Sequence, residues 1–466
     1  MTPTVDSPPV SVPVHFIDRA DRALHDEQLR AAVRHATDLL MKGRQVALGG
    51  LEDSDVVRDE ARRIRSRVLS RLPDILDRWA TNLEARGGHV HWATDADEAV
   101  EIILDIARRR GARLLVKGKS MASEEIHLNS ALEARGHEVV ETDLGEFIIQ
   151  LAGETPSHLI APAIHKDRYD VEKLFTADAG HHVGPDITEE AGYARRRLRS
   201  SFLEADIGIS GVNCAVAETG TIGLVENEGN GRLCTSVPPV HIAIMGMERI
   251  VETWEDLDVI LSLLARSATG QPLSVYTNLI TGPKRPGELD GPEELHVVVL
   301  DNGRSAALGT EYAEILNCIR CGACLNVCPV YRQVGGHAYD SVYGGPIGAV
   351  LTPLLNPASP GGRELPEASS LCGACAEVCP VRIPLDDMLL RLRHRDARAD
   401  SSRMRRLGFS AWSWLWATRP GYALSTAAAR RSRGLASRLP SRGWLGAWRE
   451  FREIPPMGRR DRRSRP

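Results

Sequence analysis

The chain has 466 residues, of which 42% are hydrophobic and 26% are charged, and its formal net charge is −4. This length and composition are typical of a soluble globular protein of two or three domains. No run of about 18 apolar residues exists, so no membrane-spanning helix is expected. The N-terminal stretch has neither the basic head nor the apolar core of a signal peptide, and we therefore expect a cytoplasmic protein.

The first half of the chain is predicted to alternate between helices and strands. Residues 1–25 are Pro-rich and polar, which indicates a flexible arm. Apolar residues at helical spacing predict helices over 26–43 and 54–86. Strands are then predicted at 89–93, 113–116, 137–141 and 158–162, and helices at 98–110, 122–135 and 167–175. This alternation predicts an α/β domain with a largely parallel sheet.

A second group of elements completes the α/β region. Helices are predicted at 189–203 and 257–267, and short strands at 206–211, 221–225, 239–245 and 296–300. A boundary at 303–307 and a helix around 312–316 follow. Two cysteine blocks come next, and a helix over 385–395 leads into the C-terminal tail.

The tail, residues 399–466, is basic and rich in Trp. From Arg391 to Pro466 there are twenty arginines and five acidic residues, a net charge of +15, which leaves −19 on residues 1–390. The tail holds five of the eight tryptophans, Trp412, Trp414, Trp416, Trp444 and Trp448. Three interpretations stay open: contact with a membrane surface or an acidic partner, nucleic-acid binding, and a loosely packed extension. No nucleic-acid-binding fold is recognised, so we expect no nucleic-acid partner.

Seven of the nine cysteines lie in two short blocks, CIRCGACLNVCP (318–329) and CGACAEVCP (372–380). The spacing of the first block is typical of ferredoxins, in which three thiolates of a block bind one iron–sulfur cluster and the fourth binds the other. A structural zinc site would take its ligands as separated pairs or with His. Disulfides would need a secretory context. The blocks therefore predict two iron–sulfur clusters.

Alignment of the blocks through their Cys-Pro pairs leaves the second block one thiolate short, because Ser369 stands where the first block has Cys318. By the crossing rule, the ligands of the first cluster are Cys318, Cys321, Cys324 and Cys379. Those of the second cluster are Cys328, Cys372 and Cys375. The first cluster is predicted to be [4Fe–4S].

The vacant position at the second cluster leaves several interpretations open. The cluster is [3Fe–4S], or it is [4Fe–4S] with Ser369, water or a substrate oxygen on the fourth iron. A third alternative is a Cys from a partner, or Cys214 or Cys234, as the missing ligand. Ser369 is otherwise an ordinary turn serine, and Cys214 and Cys234 are otherwise small buried hydrophobic residues.

Four further segments, together with the cysteine blocks, resemble the lactate-utilisation iron–sulfur protein family of the LutB/YkgF type. They are LLVKGKSMASEEIHLN (114–129), SHLIAPAIHK (157–166), GVNCAVAETGTIGLVENEGNGR (211–232) and PPVHIAIMGMERIV (238–251). The resemblance covers most of residues 25–395 and implies a LUD α/β domain, similar in fold to NagB/RpiA/CoA-transferase-like proteins, over 26–305. A mainly α-helical ferredoxin-type domain over 306–398 would follow.

The same resemblance implies a function. It implies two [4Fe–4S] clusters, with the cysteines divided as above, and a role in oxidising L-lactate to pyruvate. Its implied partners are a Cys-rich iron–sulfur protein, a second LUD protein and a downstream electron acceptor. The tail lies outside the recognised part of the chain.

The α/β domain has weaker candidate site residues. Lys117 and Lys119 lie in a strand-to-helix loop suited to anion binding, although the loop lacks Walker A spacing. Glu218 is a candidate general base or nucleophile by analogy of fold alone, and Arg232 follows a Gly-rich turn. Each residue otherwise belongs to an ordinary solvated or capped loop. No G-x-G-x-x-G follows a strand, so no flavin or NAD site is seen.

Three hypotheses for the function stay open. The chain is an electron-transfer subunit of a lactate-oxidising complex. Alternatively, its α/β domain itself binds a 2-hydroxy acid or acyl substrate through Lys117, Lys119, Glu218 or Arg232, with the open iron of the second cluster as Lewis acid. The third hypothesis is a scaffold whose clusters are structural.

Overall fold

The computed structural model describes residues 15–359, 361–400 and 403–436. These residues form two compact units, one that extends to His394 and one that begins at Arg395. The helices of the described residues are α1 (Phe16–Leu24), α2 (Glu27–Gly49), α3 (Ser54–Ser70), α4 (Leu72–Glu84), α5 (Ala96–Arg110), α6 (Met121–Glu125), α7 (Leu128–Glu133), α8 (Leu144–Ala152), α9 (Arg168–Ala179), α10 (Ile187–Glu204), α11 (Asn230–Ser236), α12 (Trp254–Ala268), α13 (Arg304–Leu308), α14 (Ala323–Val327), α15 (Tyr331–Val334), α16 (Gly345–Leu355), α17 (Ala374–Val378), α18 (Leu385–Asp400), α19 (Arg403–Ala417) and α20 (Arg419–Ala436).

The strands belong to two sheets. They are β1 (His89–Ala93), β2 (Leu114–Lys117), β3 (Glu138–Glu141), β4 (Ile207–Gly211), β5 (Cys214–Val216), β6 (Thr221–Glu226), β7 (Val240–Gly246), β8 (Ile250–Val251), β9 (Tyr276–Ile280) and β10 (Glu294–Leu300). The larger sheet has the order β1-β10-β7-β4-β2-β3, and all its neighbouring strands are parallel. The smaller sheet has the order β8-β5-β6-β9 and is mixed.

The larger sheet is covered by helices on both faces, which is why its central strands are almost continuously apolar. On β7, Ile242 and Ile244 pack into a core with α5 and α7. Ala243 and Met245 face the opposite core, which α3, α4 and α12 complete. A third core lies under α8, α9 and α10. The predicted α/β domain with a largely parallel sheet is therefore confirmed.

The cysteine region is helix-rich and is braced by the N-terminal helices. Helices α14 and α17 lie within the first and second cysteine blocks and pack against each other. From α3, Arg58 Nη2 donates to the Cys379 carbonyl oxygen at 3.0 Å. From α2, Arg44 Nη2 donates to the Val378 carbonyl oxygen at 2.8 Å. The backbone of the second block is thus held by side chains about 330 residues earlier in the sequence.

Two stretches differ from the sequence predictions. Residues 1–14 lie outside the described residues, but Phe16–Leu24 of the expected flexible arm forms α1. This helix is stabilised from a distance, since Glu364 Oε2 accepts from the Phe16 amide at 2.8 Å and the rings of Phe16 and Tyr339 pack edge to face. The strand predicted at 158–162 is a turn, because His158 Nδ1 accepts from the amides of Ile160 and Ala161.

Smaller differences concern helix limits. The single helix predicted over 54–86 is divided at Arg71, just before Pro73 in the first turn of α4. The helix predicted over 122–135 is divided at His127, whose φ is 50°. A 3₁₀ helix at Ala313–Asn317 replaces the helix expected around 312–316.

In the tail, α19 and α20 pack against each other where a loosely packed extension was one interpretation. Trp444 and Trp448 lie outside the described residues. None of the helices in the described ranges combines the length and the apolar run that crossing a bilayer requires.

Candidate functional site

The two cysteine blocks share one local backbone fold. Arg320 and Leu371, which precede the second Cys position of each block, have φ of 58° and 54°. Gly322 and Gly373, which follow that Cys, have φ of 75° and 81° and begin α14 and α17. Left-handed backbone at Arg and Leu costs about 1–2 kcal/mol each, so the surrounding structure must enforce it. The internal repeat seen in the sequence is therefore a structural repeat.

Backbone amides donate to the sulfurs of both blocks. The Cys318 Sγ accepts from the Arg320 amide at 3.4 Å. The Cys328 Sγ accepts from the Tyr331 amide at 3.5 Å, and the Cys379 Sγ accepts from the Ile383 amide at 3.4 Å. Such donors favour the thiolate over the thiol. All nine cysteines, which lie within the described residues, are free of disulfides.

Burial and neighbouring thiols raise the pKa of Cys321 and Cys324 in the first group. Burial raises the pKa of Cys321 to about 12, and the nearby Cys318 and Cys379 contribute to the rise. Burial is the largest cause that raises the pKa of Cys324, and the nearby Cys318, Cys321 and Cys379 raise it further. These four sulfurs therefore lie together. Cys321 and Cys379 are buried and Cys318 and Cys324 are half-buried. Thiolates this near one another are stabilised by a cationic centre such as the iron of a cluster.

The remaining thiols form a second group. Burial raises the pKa of Cys375 to about 12, with Cys328 next and Cys372 also contributing. Burial raises the pKa of Cys328 as well, and Cys372 adds to it. Cys375 also acts on Cys324 of the first group, so the two groups adjoin. Soft thiolate donors in turns lined by amide donors fit iron–sulfur clusters.

A cavity of about 270 Å³ opens beside the first group, at the carboxyl ends of β2, β4 and β7. Arg320, which lies between Cys318 and Cys321 in the sequence, contributes to its wall. So does Gly246, the last residue of β7. A Cβ on Gly246 would lie 2.4 Å from Glu248 Oε2 and 2.7 Å from Arg304 Nε. Only glycine therefore lets this ion pair reach the wall of the cavity.

Glu248 is the centre of a buried charge cluster in that wall. Its carboxylate lies 2.7 Å from Arg304 Nε, 3.1 Å from Arg320 Nη2 and 3.9 Å from Arg249 Nε. Burial alone would raise the pKa of Glu248, but these arginines hold it at about 2. Arg304 also binds Glu125, with nitrogen–oxygen distances of 2.8 and 2.9 Å. The Arg320 guanidinium lies over the Tyr343 ring, 4.9 Å from its centroid.

Comparison with known proteins places the chain in a family. The LUD domain family matches residues 76–300, and the 4Fe-4S dicluster domain family matches residues 314–383. The lactate utilization protein B of Shouchella clausii is 48% identical over 405 residues, which is 85% of each chain. That of Oceanobacillus iheyensis is 43% identical over 463 residues, 97% of this chain and 95% of the relative. The Exiguobacterium protein of the same name is 50% identical over 378 residues, 81% and 80% of the two chains.

The chain belongs to the lactate utilization protein B family. The matches confirm the resemblance noted in the sequence, and with it a LUD domain followed by a helix-rich ferredoxin-type domain. They also establish that the chain carries a 4Fe-4S dicluster domain, over a range that includes both cysteine groups. Helices α1–α3 precede the matched LUD region and contact the cysteine region, and α2 and α3 also pack against α12 of the LUD region.

Of the four α/β candidates from the sequence, the structure places one at the cavity. Lys119 lines it, with Nζ 3.8 Å from Glu146 Oε1. Lys117 is fully buried and paired with Glu141 at 2.7 Å and Glu124 at 2.9 Å, so its charge is already neutralised. Neither Glu218, which is half-buried, nor Arg232, which is exposed, lines the cavity.

Sequence reasoning missed the residues that give the cavity its charge, namely Glu248, Arg249, Arg304 and Arg320. A signal was present for part of the set. Arg320 lies inside the first cysteine block, and Glu248-Arg249 lies in the segment 238–251 that carried the family resemblance. No sequence signal identified Arg304, because only folding brings its side chain against the end of β7.

Proposed function

We propose that the chain is the iron–sulfur electron-transfer subunit of a complex that oxidises L-lactate to pyruvate. The observation that carries the proposal is the arrangement of seven cysteines as two adjoining groups of thiols. Family membership supports the link to lactate utilisation. Oxidation of lactate to pyruvate releases two electrons and two protons, and two adjoining clusters can carry the electrons one at a time.

We assign the first cluster, as [4Fe–4S], to Cys318, Cys321, Cys324 and Cys379. We assign the second to Cys328, Cys372 and Cys375, as [4Fe–4S] with a non-thiolate fourth ligand or as [3Fe–4S]. The effects of the thiols on one another's pKa support this division, since the thiols that raise the pKa of Cys321, Cys328 and Cys375 belong to the same group in each case, and Cys375 also raises that of Cys324. The crossing of Cys328 and Cys379 between blocks is the pattern that two-cluster ferredoxins follow.

The surface at the second group is the proposed site of electron exchange. Cys372 is exposed, whereas Cys321, Cys328, Cys375 and Cys379 are buried. A hydrogen bond with the Ser370 side chain lowers the pKa of Cys372. A ligand at the surface brings its cluster close to a docked protein, so the second cluster would meet the partner. The partners we propose are a Cys-rich iron–sulfur protein, a second LUD protein and a downstream electron acceptor.

The domain limits belong to the same proposal: a LUD domain over 26–305, a ferredoxin-type domain over 306–398 and a C-terminal extension over 399–466. Free thiols throughout support a reducing compartment such as the cytoplasm.

The first test asks whether the clusters are redox-active in the chain itself. We expect the anaerobically purified full chain to contain about seven to eight iron atoms per molecule, in accord with two clusters. A chemical reductant should change its EPR spectrum in two steps. Clusters that stay oxidised at every accessible potential would instead support a structural scaffold and contradict electron transfer.

A further inference from the structure

The cavity of the α/β domain has the position and size of a small-molecule site. Ligands of α/β proteins bind outside the carboxyl ends of the parallel strands, and the cavity lies at the ends of β2, β4 and β7. Its volume of about 270 Å³ is slightly below the range of typical ligand pockets, about 300–1,000 Å³. A ligand here must therefore be a compact molecule and not a nucleotide.

The charges on one wall are not balanced. Three guanidinium groups, those of Arg249, Arg304 and Arg320, share the carboxylates of Glu248 and Glu125. Arg249 is the least compensated, because its nearest carboxylate oxygen lies 3.9 Å away on Glu248, which already pairs with the other two. A buried charge without a counterion is unfavourable. Among the arginine and glutamate side chains of this cluster, three positive charges therefore meet two carboxylates.

Two cationic side chains of the cavity also have unused donors. Among the described residues, no hydrogen-bond partner is found for the buried Nη1 of Arg320 or the buried Nζ of Lys119. Arg320 is 94% buried, with 6% of its surface exposed. Polar atoms buried this deeply are almost always hydrogen-bonded. These donors are where an anionic ligand would gain the most.

Carboxyl groups elsewhere in the lining limit the charge of that anion. They are those of Asp143, Glu226 and Glu228. Burial, followed by Asp143, raises the pKa of Glu228 to about 7. A phosphate ester with two negative charges would be repelled here, whereas a hydroxyl group could donate a hydrogen bond to these oxygens. A singly charged carboxylate with a neighbouring hydroxyl group meets both requirements, and a neighbouring oxo group can accept from Glu228 when that carboxyl is protonated.

We propose that the cavity binds a small hydroxy- or oxo-carboxylate, with the ligand carboxylate held by Arg249 and Arg320 and Lys119 close by. Arg320 belongs both to this wall and to the first cysteine block, where the Arg320 amide donates to Cys318 Sγ. The bound carboxylate therefore adds negative charge beside the first cluster and lowers its reduction potential. The choice of L-lactate and pyruvate as probes rests on the proposed function, but the anion site itself does not.

The experiment uses the full, cluster-loaded chain under anaerobic conditions. Calorimetry measures binding of L-lactate, pyruvate and inorganic phosphate to the wild type, Arg249→Gln, Lys119→Gln and the control Arg285→Gln, an exposed arginine outside the cavity. We expect L-lactate or pyruvate to bind the wild type and the control equally, and the Kd to rise at least tenfold in Arg249→Gln. On ligand addition, the EPR redox titration of the first cluster should shift to lower potential in the wild type and in the control Arg285→Gln, but not in Arg249→Gln.

Three outcomes would overturn the site. They are no binding of either carboxylate to the wild type, tighter binding of phosphate than of both carboxylates, and unchanged affinity in both cavity variants. If Arg249→Gln fails to fold, Lys119→Gln, which alters a side chain at the edge of the cluster of charges, gives the same comparison. None of these outcomes affects the iron count or chemical reduction of the clusters, so failure of this site is distinct from failure of electron transfer.

Discussion

Ser369 holds in the second cysteine block the position that Cys318 holds in the first. The Ser369 hydroxyl oxygen accepts from the Leu371 amide at 3.1 Å, and the Cys318 sulfur accepts from the Arg320 amide at 3.4 Å. Leu371 and Arg320 both have the left-handed backbone conformation, with positive φ. The turn that presents the first ligand is therefore retained in the second block, with an oxygen in place of the sulfur.

Restoring the thiol at this position should complete the second cluster. We expect Ser369→Cys to change the EPR spectrum of the second cluster and, if that cluster is [3Fe–4S] in the wild type, to raise the iron count by about one. Ser369→Ala is the matched variant, which keeps the vacancy and removes the hydroxyl. If the Ser369→Cys protein folds with an unchanged spectrum and iron count, the equivalence of the two positions has no functional meaning.

Single substitutions can test which cysteines bind which cluster. Cys318→Ser or Cys379→Ser should remove the signal of the first cluster, and Cys372→Ser that of the second, because each cluster depends on its own group of thiolates. Each change should reduce the iron content by roughly half, as loss of one of two clusters requires. Equal loss of both EPR signals in each variant, with the fold intact by circular dichroism, would contradict the crossed assignment.

The glycines of the two blocks offer a matched pair. Gly322→Ala and Gly373→Ala both place a side chain at positive φ, at a cost of about 1–2 kcal/mol. The new Cβ at 322 would also lie 3.2 Å from His158 Cε1, while that at 373 has nothing closer than Asp386 Oδ2 at 3.5 Å. Thermal unfolding should therefore show the larger fall in midpoint for Gly322→Ala, and the reverse order would refute this account of the packing.

A buried histidine should make the fold sensitive to mild acid. His241 lies 2.8 Å from the Ser210 hydroxyl, and burial, with a smaller effect of His296, lowers its pKa to about 3. Its folded pKa is thus below the unfolded value of about 6.5. The stability that neutral His241 provides is present above pH 6.5 and is lost as the pH falls towards 3, by about 1 kcal/mol per pH unit.

His241→Gln removes this titration and keeps a polar side chain. Denaturant unfolding between pH 6.5 and 4 should give a shallower loss of stability for the variant than for the wild type, by about 1 kcal/mol per pH unit. Parallel curves for the two proteins would show that His241 is not the neutral buried group described here.

The tail should bind anionic membrane surfaces. In the second compact unit, Trp412, Trp414 and Trp416 are 53%, 73% and 45% exposed on α19, and the tail is rich in arginine. Exposed aromatic side chains beside cationic ones favour the interface of an acidic bilayer. Sedimentation with vesicles should therefore be stronger for anionic than for neutral lipid. It should also weaken when the three tryptophans are replaced by Ala, and equal binding by that variant would exclude this role.

Local sequence patterns were enough for the main sheet and the thiol ligands. The strands β4, β7 and β10 are apolar runs buried on both faces. The spacing of the cysteines alone predicts their role as cluster ligands. The short strands β5 and β9 were missed, since three residues of β5 pair only through contacts with β6 and β8. The apolar residues at 158–162 predicted a strand. The hydrogen bonds from the Ile160 and Ala161 amides to the His158 side chain, which make it a turn, have no signal in the sequence.

The charged wall of the cavity depends on contacts distant in sequence and was not predictable from any local pattern. Arg304 meets Glu248 across 56 positions and Glu125 across 179. Lys117, which the strand-to-helix loop made a candidate, is instead buried between two glutamates. An isolated Lys or Arg in a sequence does not reveal whether its counterion is a neighbouring carboxylate or a ligand.

The most direct test of the electron-transfer role is anaerobic EPR of the full chain before and after addition of L-lactate, with and without its two proposed partner proteins. We predict that L-lactate reduces the clusters only when the partners are present. Reduction by L-lactate in the isolated chain, or oxidised clusters in the complete mixture, would contradict the role of an electron-transfer subunit.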